Sequence, residues 1–145
     1  MKKSLRCICA ALFMLAFCTG FVIHASAVER ASLYLTRYSA TVSASNNGAI
    51  EMSIFVVANK SVSELGASYI LLEESDDGGK TWSTAREYEG QSWMTAENRS
   101  TYSRTLSYPG TIGHQNRVTA EVFAKDANGG DSRTTPTSPV VTAKR

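Results

Sequence analysis

The sequence predicts an all-β domain, an antiparallel two-sheet sandwich of about seven strands, behind an N-terminal export signal. Three observations carry this. Short runs rich in Val, Ile, Tyr and Thr recur along residues 28–145, with Gly, Asn and Asp clusters between them. Several of these runs alternate apolar and polar residues with a period of two, and no window holds a period of 3.6 for long. Two longer connections, 59–67 and 109–116, stand where a chain would cross from one sheet to the other. A small barrel is the alternative architecture.

Residues 1–27 read as a secretory signal. Lys2, Lys3 and Arg6 precede an apolar run from Cys7 to Ile23, and Ala25-Ser26-Ala27 offers small residues for cleavage before Val28. The run is short for a membrane span and no second candidate follows, so the mature chain is expected to carry no membrane span. Cleavage after Ala27 is preferred to lipidation at Cys18, because Phe17 is bulky where lipoprotein processing needs a small residue. The chain closes on Ala143-Lys144-Arg145 without an apolar tail, and the expected product is a single secreted, extracellular domain, 28–145.

The strands follow in order. In 37–44, Tyr38, Ala40, Val42 and Ala44 share one face, and Asn46-Asn47-Gly48 supplies a turn. In 49–58, Ile50, Met52, Ile54 and Val56 share a face. Residues 59–67 read as a crossing segment, with Val62 and Leu65 plugging the end of a core and Gly66 allowing a bend. Strand 68–74 leads into Ser75-Asp76-Asp77-Gly78-Gly79-Lys80, the strongest turn signal in the chain, and 82–88 returns. A looser stretch, 89–99, contains Trp93 and Met94. Residues 100–108 alternate, Pro109-Gly110 breaks them, and 117–125 alternates most cleanly, with Val118, Ala120, Val122 and Ala124 inward. The last strand, about 132–143, is interrupted by Pro136 and Pro139, as an edge strand tolerates.

Composition narrows the chemistry. After cleavage the chain keeps 12 basic and 13 acidic residues, which excludes a strongly basic nucleic-acid binder. Cys7, Cys9 and Cys18 all lie in the signal, so the domain has no disulfide scaffold, and His114 is its only histidine. One histidine and no cysteine exclude the familiar zinc sets. No cofactor, no metal and no catalytic residue is expected.

Four groups remain. Ser75 to Trp82 fits S-x-D-x-G-x-T-W and resembles the Asp box of sialidase propellers, a hairpin device, so a well-made hairpin outweighs a glycosidase reading. Asp76 and Asp77 with Glu73 or Glu74 are a thin oxygen set for a weak calcium site. Glu87 and Glu89, about 7 Å apart on one strand face, match paired carboxylates of glycoside hydrolysis, but a solvated face is the commoner reason for such a pair. His114 reads as a surface-loop histidine. Among the aromatics, Trp82 belongs to the core or hairpin. Trp93 is the candidate ligand-binding residue, because a loop gives an apolar ring little structural reason to be there.

The mature chain resembles a domain-of-unknown-function family of small secreted proteins from Gram-positive bacteria. The resemblance rests on Tyr34-Leu35, Tyr38-Ser39-Ala40, Leu65-Gly66-Ala67-Ser68, Glu74 to Trp82, Val118-Thr119-Ala120 and Phe123-Ala124-Lys125-Asp126. It implies an immunoglobulin- or fibronectin type III-like sandwich without catalytic residues. Asn116-Arg117 departs from the pattern, since such sandwiches often carry a Tyr before the penultimate strand. The functional expectation is a non-enzymatic binding or interaction module whose partner is a glycan or an extracellular protein. The alternatives are a glycan-active hydrolase and a self-associating structural surface protein. The oligomeric state is left open.

Overall fold

The computed structural model describes residues 33–145. The signal, its cleavage point and Cys18 lie outside the described residues. Strands β1 (Leu35–Ala44), β2 (Ala49–Ser75), β3 (Ser83–Glu89), β4 (Thr95–Pro109), β5 (Gln115–Asp126), β6 (Gly129–Thr134) and β7 (Val141–Thr142) form one curled antiparallel sheet. The described residues contain no α-helix, and no helix among them is long and apolar enough to cross a membrane.

The sheet is organised on β2. Laid straight, its 27 residues would reach about 90 Å. Yet Ala49 pairs with Pro109 and Ser75 with Gln115. The six Cα steps from Pro109 to Gln115 span at most about 23 Å. The two ends of β2 therefore lie far closer than a straight strand allows, and the strand doubles back. The bend falls between two register shifts, Val57/Val62 against β4 and Ala67/Tyr69 against β5, and contains Gly66 at φ 155°.

The segment expected to cross between sheets, 59–67, is thus a correction: it is the bent middle of one continuous strand. The plug assigned to it is real, with Val62 and Leu65 buried. Glu64 and Gly66 pair with β4 on one side and β5 on the other. Consequently β3 and β4 run end to end along one edge of β2, and β1 and β5 along the other. β1 and β5 also approach each other without being neighbours in the sheet order.

The interior is lined as the alternation predicts. Ile50, Met52, Ile54 and Val56 are fully buried, as are Ile70, Leu72, Val118 and Val122, with Ala120 and Ala124 beside them. The Asn46-Asn47-Gly48 turn forms with Asn47 at φ 60°. β4 begins at Thr95, earlier than its alternation indicates, and the expected last strand is two short ones, β6 and β7. Between these two, the proline-containing segment still bonds to β5 through hydroxyls. The Val118 amide donates to Ser138 Oγ at 2.9 Å and the Ala120 amide to Thr135 Oγ1 at 3.0 Å. This explains why Thr135 and Ser138 are buried.

Candidate functional site

The hairpin between β2 and β3 is built around the Asp77 carboxylate. Its Oδ1 accepts the Ser75 hydroxyl (2.8 Å) and the amides of Lys80 (2.9 Å) and Thr81 (3.0 Å), while Oδ2 accepts the Thr81 hydroxyl (2.7 Å). Gly78 and Gly79 take positive φ, and the Trp82 indole donates to the Gly79 carbonyl at 3.1 Å. The Arg117 guanidinium lies 4.1 Å from the Trp82 ring centroid and forks onto Glu73, with Nε to Oε2 at 2.8 Å and Nη2 to Oε1 at 3.1 Å. Every strong contact of Asp77 is spent inside the turn. The hairpin role read from the S-x-D-x-G-x-T-W pattern is what these contacts perform.

The Thr81 amide and hydroxyl, then the Ser75 hydroxyl and the Lys80 amide, hold the Asp77 carboxyl well below its ordinary value of 3.8. Because the folded chain favours the ionised form, this stabilisation is complete above about pH 4 and erodes as the pH falls further. Lys60 draws Asp126 down in the same direction, with a 2.7 Å contact. The urea midpoint is expected to drop below about pH 4, and Asp77→Asn is expected to flatten part of that drop. An unchanged slope in the variant would count against the assignment.

Trp93 sits in the 3₁₀ turn Ser92–Met94, where the chain passes from β3 to β4 at the bend of β2. It is half-buried, and Tyr102 donates its hydroxyl to the Trp93 carbonyl at 3.1 Å. Tyr88 meets Trp93 edge to face, with centroids 5.5 Å apart and planes at 75°. The Arg86 guanidinium lies 5.4 Å from the Tyr88 centroid and that of Arg104 lies 5.3 Å from the Trp93 centroid. Four side chains are thus joined in a row of successive contacts: Arg86 to Tyr88, Tyr88 to Trp93, Trp93 to Arg104.

Strand register places this row. Arg86 pairs with Leu72, Tyr88 with Ile70 and Arg104 with Ile54. Directly paired residues share a face, so both arginines start from the core-facing side of edge strands and emerge at the open margin. Both are exposed, and neither joins any ion pair among the described residues. Sequence reasoning singled out Trp93 alone; the residues it touches were not legible, because the β3–β4 juxtaposition depends on the bend in β2. The signal available was the i, i+2 spacing of Arg86 and Tyr88.

The other candidates are not brought together. Glu87 and Glu89 are exposed, and the Tyr69 phenol hydrogen-bonds Glu87, which pushes that phenol up from its ordinary value. Open to water, these carboxylates lack the burial that sets an acid apart from a base. His114 is half-buried rather than a free surface histidine, with Nδ1 3.4 Å from Glu74 Oε2. The pair borders a cleft beside Asp76, Thr81 and Trp82. Among the described residues no three His, Cys, Asp or Glu side chains gather as a metal site. Asn116, which stands where the resemblance expects Tyr, is fully buried and donates to the His114 carbonyl at 3.2 Å.

Compared with known proteins, the chain matches no protein-family model and no curated protein.

Proposed function

We propose that the chain is an exported, non-enzymatic binding module that works at the bacterial surface or in the medium. It belongs, on this reading, with the secreted domain-of-unknown-function proteins it resembles, and its curled sheet is a two-layer sandwich of immunoglobulin or fibronectin type III type. The bend of β2, which brings its two ends far closer than a straight strand allows, supports the two-layer reading. The site is the margin around Trp93, and its partner is a glycan. The observation that carries this is the half-exposed Trp93–Tyr88 pair at an open edge, a large amphipathic surface of the kind that anchors ligands.

The test is a glycan panel read against the secreted protein and its Trp93→Ala variant. Wild type is expected to bind at least one glycan, and the variant to lose roughly tenfold or more in affinity. Absence of binding to the whole panel, or equal binding by both proteins with equal melting curves, would sink the assignment.

A further inference from the structure

We propose that the Trp93 margin selects a polysaccharide whose sugars carry carboxylates, gripped at both ends by Arg86 and Arg104. This rests on the binding reading above and adds the ligand's charge to it. Three features of the row support it. Each guanidinium is held over an aromatic ring, which orders the long side chain before any ligand arrives and lowers the entropy lost on binding. Neither guanidinium spends its N–H edges on an acidic partner, although the described residues pair Arg117, Lys60 and Lys125 with carboxylates elsewhere. A planar fork with free edges is the geometry that receives a carboxylate through two parallel hydrogen bonds.

Spacing bounds the ligand's length. From the three contact distances along the row, the two guanidinium carbons are no more than about 16 Å apart. A chain of a few acidic sugars with a charge on each ring meets both forks at once, and the second contact forms as an intramolecular event. The rings between the arginines supply apolar edges for the sugar C–H groups.

A charge on the core-facing side of an edge strand also guards that edge against pairing with another chain. Arg86 and Arg104 serve that end equally well as lysines, because it needs charge and length alone. Lysine keeps the charge and removes the fork, so Arg86→Lys and Arg104→Lys separate the two roles.

The experiment measures binding of the secreted protein to polygalacturonate, monomeric galacturonate, a neutral galactan, dextran sulfate and poly-L-glutamate. Polygalacturonate is expected to bind most tightly, well above its monomer, and more weakly as salt is raised. Each Arg→Lys variant is expected to keep its melting curve and lose roughly tenfold in affinity. Preference for neutral galactan, sensitive to Trp93→Ala but indifferent to either lysine variant, overturns this inference while leaving the glycan-binding reading intact. Equal or tighter binding of poly-L-glutamate or dextran sulfate also overturns it, since charge alone would then explain capture. No binding to any of the saccharides removes both.

Discussion

Gly66→Ala is expected to be among the most damaging single substitutions in the chain. A Cβ at this position would fall 2.1 Å from the Met94 carbonyl oxygen and 2.8 Å from the Thr95 Cα. Both obstacles are backbone, so no side chain can swing aside. The φ of 155° adds strain for any L-residue. Relief requires either separating the Trp93 turn from β2 or straightening the bend, and each abandons the ladder between Gly66 and Thr95. A loss of about 3 kcal/mol or more is expected in urea titration. Gly90→Ala is the control: Gly90 also has positive φ but nothing within 4 Å of its would-be Cβ, so about 1 kcal/mol is expected. Equal effects at the two positions would show that the close approach at Gly66 is unimportant.

Val122→Asp is expected to unfold the domain. Val122 is fully buried on β5, paired with Ala67 of β2 on one side and with Arg133 of β6 on the other. A carboxylate forced into this apolar site costs several kcal/mol even with Arg133 across the ladder, because desolvating two charges outweighs their attraction, and a typical domain has about 5–15 kcal/mol of total stability. Lost near-ultraviolet circular dichroism and poor recovery of folded protein are the expected readouts. Val122→Ala keeps the test quantitative, with about 1–3 kcal/mol lost, while its exposed neighbour Glu121→Ala should stay within about 0.5 kcal/mol of wild type. The opposite order at 121 and 122 would mean that the inward face is assigned backwards.

The strand class and the inward faces were legible because each rests on local chemistry. Val118, Ala120, Val122 and Ala124 alternate with polar residues whatever the rest of the chain does, and Asp77 closes its turn with groups at most four residues away. Continuity of β2 was not legible. Asn59, Lys60 and Ser61 form a polar run that reads as a loop, and it stays in the strand because Ala58 pairs with Leu35 before it, Val62 pairs with Arg99 after it, and the Asn59 amide donates to the Tyr34 carbonyl at 2.8 Å. The early part of β4 is similar: Glu97, Asn98, Arg99 and Ser100 are all exposed, so no apolar alternation marks the strand.

The site divides the same way. Trp93 stood out as an apolar ring in a loop-like stretch. Arg86 and Arg104 lie seven and eleven positions away, on two strands that only the bend at Gly66 brings beside it. Charge on the core-facing side of a strand reads, in sequence, as a break in the pattern. Here it marks where two edges open to water.

β2 has a further consequence, for how the polypeptide reaches its native state. One strand supplies a partner to β1, β3, β4 and β5, so none of these four completes its pairing until β2 is in place. Its ladders join residues distant along the chain, such as Ala49 with Pro109, which makes loop closure the slow step and places this domain among the leisurely folders. The same sharing couples loss of structure: a nick or kink in the middle of β2 loosens the ladders to all four partners together.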